Sequence, residues 1–384
     1  MTTPFYLTLK EIWRNRGRFL LFSLVIALIT LLVLFIAALA DGLGNGNREY
    51  IEKLNGELIV YKSNVDLSIG ASRLDRSQLR AIVRVPGVKD AGQASFSSVV
   101  LLQSEGKKFN VALIGVEPGK PGEPPVVLGR GLGDKSSSEA IIDRNVALRT
   151  GYTVGDQLRL KAIQGTQEEF YDLRIVGISD GRQYSLQPSV IVSHPTFDRV
   201  KPGVPVVNAT DLVSNLIIVQ LDEPLNWKAM AITLANQVEG IQAVDRQTAY
   251  QNTPGYSAQQ STLDTQRFFT LLIGVLVIGG FFQIQTLQKV PQIGMLKAIG
   301  APNLLIAIAA LTQIVLVTIL GVSIGALATV LLSFTFPATI PIVFSPMAIV
   351  IGVASLMLVG PIGGLVSVRY ALRVEPLTAL GLTG

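Results

Sequence analysis

Few side chains in this sequence could do covalent or metal chemistry. His194 is the single histidine, in Ser193-His194-Pro195, and there is no cysteine. A zinc site would have to rest on carboxylates, and no Gly-x-Ser-x-Gly elbow is present to give that histidine a nucleophile. A histidine at a strand end or in a loop is the plainer reading. Glu168-Glu169 and Asp222-Glu223 are adjacent pairs that suit solvated loops better than an acid/base dyad. Gly129-Arg-Gly-Leu-Gly-Asp-Lys135-Ser136 resembles a phosphate loop only loosely. A true one needs Gly directly before Lys, so that amides and ammonium surround one phosphate; Asp134 stands there and would repel it. The sequence therefore assigns no catalytic residue, no metal site and no cofactor to this chain, and an enzyme is not expected.

Residues that could bind or couple are more informative. The most specific segment is Lys289-Val-Pro-Gln-Ile-Gly-Met-Leu-Lys-Ala-Ile-Gly-Ala-Pro-Asn303. Ile293, Leu296 and Ile299–Gly300 fall roughly on one helical face, with Lys297 on another. Such a short amphipathic helix suits either a handle for a soluble partner or a linker along a membrane surface. Glu49, Tyr50 and Glu52 are candidate oxygen ligands for a substrate, although charge solvated beside a membrane is the plainer reading. Gly321-Val-Ser-Ile-Gly325 and Gly360-Pro-Ile-Gly-Gly364 place small residues four apart. That spacing allows close helix packing, within one chain or across a homodimer.

The elements that must position these residues are set by four uncharged runs. Phe19–Ala40, Phe268–Ile284, Leu304–Phe334 and Met347–Val368 hold no charged residue. The first would be about 33 Å long as a helix, enough to cross a bilayer. The expected fold class is thus an α-helical membrane protein with four transmembrane helices, one and then three, and a large α+β extracytoplasmic domain between the first and second. The expected divisions are an interfacial helix at 1–18, transmembrane helix 1 at 19–40 and the external domain at 41–267. Transmembrane helix 2 follows at 268–287, a cytoplasmic helix at 288–303, transmembrane helices 3 and 4 at 304–334 and 346–368, and a cytoplasmic tail at 369–384. Within the external domain, strand–helix–strand patterns predict two βαβ-like halves around a β-rich insert at about 126–200. Asp75 is a candidate cap for a helix over Leu74–Val83.

The net charge of +5 and pI near 9.3 could suggest nucleic acid, but the charges are placed otherwise. Lys10, Arg14, Arg16, Arg18, Lys289, Lys297, Arg369 and Arg373 flank the apolar runs, against Glu11 and Glu375. The rest, 24 basic and 25 acidic residues, leaves the insert nearly neutral. The excess is a topological signal: both termini and the 285–303 loop cytoplasmic, the insert outside, and no nucleic-acid partner. No Asp, Glu, Lys, Arg or His lies inside a run; Gln283 and Gln285 at the inner end of the second span and Gln313 in the third are the notable polar residues. Ion-coupled pumps usually need intramembrane ionisable groups, so energy is expected from another subunit.

With these residues in place, the chain resembles the MacB/FtsX-type permeases of ABC transporters, the type VII or mechanotransmission class. In that family Ile-Gly-x-Leu-(Lys/Arg)-Ala-x-Gly-Ala forms a coupling helix that docks on the ATPase. Ile293, Gly294, Leu296, Lys297, Ala298, Gly300 and Ala301 match it. Ala371–Leu380 resembles the family's C-terminal ending, and Gly151-Tyr-Thr-Val-Gly-Asp156 its recurrent turn. The family usually carries several Arg and Glu before the coupling helix, where this chain has Gln288, Pro291 and Gln292. Leu58–Tyr61 through Ser72–Leu74, and Asp180–Pro188, look closest to HrtB-type haem-exporter permeases. The resemblance implies a permease homodimer in a bacterial cytoplasmic membrane, partnered by an ABC ATPase that holds the ATP and Mg, with a periplasmic adaptor as a further partner in some members. It implies export of haem or another amphiphile; signalling to an external partner such as a cell-wall hydrolase, and lipoprotein release, are the family's alternatives.

Overall fold

The structure, a computed structural model, describes residues 14, 16–103, 106–133, 138–201, 213–335 and 342–373. The interfacial helix expected before the first span lies almost wholly outside these residues, as do residues 336–341 between the third and fourth apolar runs and the tail from 374 onward. Two compact units form: Leu43–Gln259, and the flanking segments to Gly42 and from Gln260.

Helix α1 (Arg16–Glu52) contains the first apolar run and continues past Gly42, Gly44 and Gly46. Glycine weakens a helix interior by roughly 0.5–1 kcal/mol, so contacts must hold this extension. At Gly46 a Cβ would lie 2.4 Å from Leu186 Cδ2, so only glycine lets the Leu186 side chain reach the helix backbone. Leu186 N–H donates to the Gly46 carbonyl at 3.0 Å. At the other end, Arg246 Nη1 donates to the carbonyls of Glu52 and Leu54, at 3.3 and 2.9 Å. Those carbonyls would otherwise lack partners at the helix terminus.

The sheet of Leu43–Gln259 begins with β1 (Leu58–Lys62), α2 (Arg76–Val83) and β2 (Val88–Leu102). Asp75 and Gln78 cap α2 reciprocally, side chain to backbone in both directions. The hairpin partner β3 (Lys108–Val116) follows, then β4 (Val126–Gly129), β5 (Glu139–Asp143) and α3 (Arg144–Thr150). Next come β6 (Gln157–Gln164), β7 (Gln167–Ser179), β8 (Ser189–Ser193) and α4 (His194–Val200). The domain ends with β9 (Leu216–Leu221), α5 (Trp227–Gln237), β10 (Ile241–Asp245) and α6 (Arg246–Gln251).

Both expected βαβ-like halves are present, β1-α2-β2 and β9-α5-β10. The halves interleave in the order β10-β1-β9-β2, every neighbour antiparallel. This is the split βαβ arrangement, in which each crossover leaves a gap that a strand of the other half fills. Alternation along the strands gives the sheet two buried faces. Leu58, Val60, Ile217 and Val219 pack with Leu79, Ile82 and Leu234 of the helices. Ile59, Tyr61, Leu216 and Ile218 face the other side with Tyr50 and Ile51 of α1.

The β-rich middle joins the same sheet through β2. β2 is 15 residues long and is shared. Its first half pairs with β9, while its second half pairs with β3 and, at Val100–Leu102, with β6. The pairings β3–β8, β8–β5, β5–β7 and β7–β6 then return to β2 and close a ring of six strands. Its interior is filled by Leu101, Leu113, Ile142, Leu160, Ile175 and Val190, all fully buried. Closure leaves no open edge within the ring.

The second unit adds α7 (Tyr256–Gln288), α8 (Val290–Ala298), α9 (Asn303–Ser333) and α10 (Pro346–Arg373). Among the described residues, α1, α7, α9 and α10 are the four helices long and apolar enough to cross a membrane. Small residues let them approach. A Cβ on Gly321 would lie 2.6 Å from Ile26 Cβ, and on Gly325 2.5 Å from the Ala27 carbonyl oxygen. One on Gly360 would meet Thr318 Oγ1 at 2.0 Å, and one on Gly364 would meet Ile314 Cδ1 at 2.4 Å. All four glycines therefore sit at helix contacts inside the chain. Gly279 and Gly363, which the sequence reading did not single out, press backbone to backbone between α7 and α10. Paired glycines inside apolar runs, Gly279-Gly280 and Gly363-Gly364, were the available signal.

Two expectations follow. Gly325→Leu forces α1 and α9 apart and is expected to cost about 1–3 kcal/mol, read as a lowered unfolding temperature in detergent. Gly280→Ala, with no heavy atom within 4 Å of the new Cβ, is expected to be neutral or slightly stabilising.

A further expectation concerns pH. Burial pulls the His194 pKa down from 6.5 to about 4. Burial pushes Asp143, the cap of α3, up from 3.8 to about 6 although amides donate to it. The depressed histidine contributes stability that is complete above its unfolded pKa and lost as pH falls towards 4. The raised carboxyl acts oppositely, its contribution complete below its unfolded pKa and lost as pH rises through about 6. His194→Gln is therefore expected to lose less stability than the native chain between about pH 7 and pH 4.5, by on the order of 2 kcal/mol. Thermal unfolding of the full chain followed by circular dichroism measures this, and an unchanged pH slope would contradict it.

Candidate functional site

Helix α8 stands at one end of the bundle, between α7 and α9. Lys289 breaks the two helices, and Pro291 in the first turn of α8 removes an amide that would be unpaired there anyway. The inward face is Ile293 and Gly294, with Ile293 packed on Ile306 of α9 and Ala371 of α10.

The C-terminus of α8 is a Schellman cap. Gly300 N–H donates to the Lys297 carbonyl and Ala301 N–H to the Leu296 carbonyl, both at 3.0 Å. This geometry places Gly300 at φ +91°, in the left-handed region where a side chain is strained. Four of the seven motif residues therefore do part of their work through the backbone. Gly300 followed by Pro302 was the sequence signal for such a stop. A substitution at Gly300 consequently tests the cap before it tests any contact.

Lys297 is also engaged within the chain. Its Nζ donates to the Leu372 carbonyl at 2.8 Å, in the last turn of α10, where a cation complements the helix dipole. Arg18 Nη1 donates to Gln288 Oε1 at 2.9 Å, joining the start of α1 to the end of α7. The basic residues Arg16, Arg18, Lys289, Lys297, Arg369 and Arg373 thus collect at this end, as the helix ends that carry them do.

The expected apolar face of α8 divides. Ile293 is turned inward, whereas Met295, Leu296 and Ile299 are 59%, 40% and 77% exposed. Ala298 and Gly300 are exposed beside them. The result is a short, rigidly seated helix that presents apolar side chains outward.

Glu49, Tyr50 and Glu52 lie near the end of α1 and hold structure together. Glu49 accepts from Lys53 Nζ at 2.8 Å and from the Gln183 amide at 3.1 Å. Glu52 pairs with Arg48 at 3.1 Å. Tyr50 is fully buried, edge-on to Phe96 at 5.3 Å, and burial raises its pKa far above the usual tyrosine value. The 180–187 loop grips this end of α1. Arg182, itself buried, donates to Asp180 and to the Lys53 carbonyl, each at 2.7 Å. Tyr184 and Gln187 bond each other's backbones across Ser185 and Leu186, whose φ values of 51° and 62° are rare for side-chain-bearing residues. Contacts on both sides hold that conformation. Glu49 and Tyr50 are thus tied into a joint between α1 and the 180–187 loop, whereas Glu52 lines an open cleft of about 440 Å³ with Glu57, Trp227, Asp245, Arg246 and Tyr250.

The phosphate-loop-like segment is not built for phosphate over its described part. Glu123 accepts from the amides of Gly119 and Leu132, and Arg130 pairs with Glu139. Its residues 134–137 lie outside the described ones.

Comparison with known proteins places these features in a family. The MacB-like periplasmic core domain matches residues 19–237, and the FtsX-like permease C-terminal domain matches residues 267–376. A protein of Staphylococcus haemolyticus named as a hemin transport system permease, HrtB, is 27% identical over 97% of this chain and 98% of its own length. An uncharacterized ABC transporter permease of Mycobacterium tuberculosis is 23% identical over 96% of this chain and 97% of its own. The solved extracellular domain of the noncanonic ABC-type transporter YknZ from Gram-positive bacteria covers 50% of this chain and 100% of that domain, at 16% identity and a TM-score of 0.36. The two family domains cover the seated helix, the four apolar helices and most of the sheet domain in one continuous order, and the chain belongs to the MacB/FtsX-type permeases of ABC transporters.

Proposed function

We propose that this chain is the subunit through which a separate ABC ATPase, binding ATP and Mg, drives export of an amphiphile, with haem the first candidate. The observation that carries this reading is α8: anchored by Ile293, capped through Gly300, tied by Lys297 to α10, and apolar outward at Met295, Leu296 and Ile299. A helix seated on three sides transmits a push to the helices it is seated on; a loose linker would absorb it. The basic residues gathered at this end favour its lying on the cytoplasmic side, where the ATPase is. The apolar docking face agrees with the scarcity of Arg and Glu before the helix. The chain acts as one half of a homodimer, and ATP-driven closure of the ATPase pair moves the two α8 helices. Haem is put forward because the Staphylococcus relative is named for hemin transport and matches end to end.

The test is reconstitution with the cognate ATPase in lipid nanodiscs. Met295→Asp with Ile299→Asp is expected to lower substrate-stimulated ATP hydrolysis at least about tenfold, since two exposed apolar contacts of order 1 kcal/mol each are replaced by charges. Unfolding temperature is expected to stay unchanged because both side chains are exposed. Unaltered coupling in the double variant would contradict the assignment of α8. Stimulation by haem supports export; stimulation only by an external protein would replace export with signalling.

A further inference from the structure

The open cleft of about 440 Å³ in the sheet domain lies between the end of α1, the start of β1, the first residue of α5 and α6. Two aromatic rings line it, Trp227 and Tyr250. Its hydrogen-bonding side chains are Glu52, Glu57, Asp245, Arg246 and Gln247. Three carboxylates would ask for a cation, but most of that charge is already answered within the domain. Glu52 pairs with Arg48 at 3.1 Å. Asp245 caps α6, accepting from the amides of Gln247 and Thr248, at 3.1 and 3.4 Å, and from the Thr248 hydroxyl. Each ring also has a cation over it, Lys228 Nζ 5.3 Å from the Trp227 centroid and the Arg48 guanidinium 5.8 Å from that of Tyr250.

The groups left open are of one kind. Glu57 accepts from the Leu221 amide through Oε2 at 2.8 Å, and its Oε1 has no partner among the described residues. Arg246 is held through Nη1 by the carbonyls of Glu52 and Leu54, and its Nε and Nη2 have no partner there either. The Gln247 side-chain amide is exposed. A carboxylate, a guanidinium and an amide are planar groups that present donors or acceptors side by side. Neighbouring hydroxyls on a sugar ring match them, because each hydroxyl both donates and accepts. The C–H face of the same ring covers an aromatic side chain. An organic cation would leave Arg246 without an acceptor, and an anion would face Glu57. At ~30 Å³ per water-sized group the cleft holds about fifteen such groups, more than one sugar ring and more than a free amino acid.

We propose that this cleft binds a short neutral glycan, with one pyranose ring on Trp227 and its hydroxyls bonded to Glu57, Arg246 and Gln247. The proposal rests on the sheet domain alone and needs neither the ATPase nor the haem reading.

The experiment uses the full chain in lipid nanodiscs, free of maltoside detergent, whose head is itself a sugar. Trp13→Phe leaves Trp227 as the sole tryptophan. Chitotriose, cellotriose and maltotriose are titrated singly while Trp227 emission is read. At least one is expected to shift that emission saturably, with half-saturation at or below about 1 mM. Glu57→Gln, which keeps an oxygen for the Leu221 amide, is expected to weaken binding about tenfold, and Gln247→Ala about threefold. Calorimetry on Trp227→Leu is expected to show at least about tenfold weaker binding. A Tm measured alongside each variant checks that the sheet domain is intact. No saturable change with any of the three sugars, or binding that persists undiminished in an intact Glu57→Gln or Trp227→Leu variant, would overturn the proposal. A saturable response to choline or lysine, with none to the sugars, would also overturn it and assign the cleft to a cation.

Discussion

The Schellman cap at the end of α8 is the constraint on which the functional part of this structure depends. Two backbone bonds, from Gly300 and Ala301 to Lys297 and Leu296, end the helix after nine residues and turn the chain into α9. An isolated helix this short would be marginal in water. It persists because Ile293 is buried at one side and Lys297 bonds α10 at another. Those same ties decide which side chains remain outside. Met295, Leu296 and Ile299 are exposed because Ile293 and Gly294 occupy the inward positions, not because of any intrinsic polarity.

The bundle behind α8 follows the same economy of charge. Among the described residues its polar side chains are hydroxyls and amides that mostly bond backbone carbonyls one turn away, as Thr30, Thr318 and Thr329 do. Helix association then rests on close approach at glycine and on packed aliphatic residues. In the sheet domain the corresponding constraint is the shared strand β2, whose two halves serve the split βαβ layer and the six-stranded ring. A rigid strand common to both makes these one continuous sheet.

Much of this was legible in the sequence because it is local. Uncharged runs gave the four long helices, and alternating strands with Asp75 as a cap gave the pieces of the split βαβ layer. Ring closure was not legible, since it depends on pairing Val100–Leu102 with residues some sixty positions later, Arg159–Lys161. The grip of the 180–187 loop on α1 was hidden for another reason: Ser185 and Leu186 take a conformation usually marked by glycine or asparagine. Glu49 and Tyr50 looked available as ligands because sequence spacing does not reveal that Gln183, Lys53 and Phe96 engage them. For α8, spacing showed an apolar helix, but the inward choice of Ile293 depends on Ile306 and Ala371, which are distant in sequence.

The central claim is that the outward face of α8 meets the ATPase. The chain has no cysteine, so Ile299→Cys, at a 77% exposed position, creates a unique thiol. The most direct measurement is its rate of maleimide labelling in nanodiscs with and without the cognate ATPase. The account predicts ready labelling of the permease alone and strong protection once the ATPase is bound. Equal labelling in both states would contradict it.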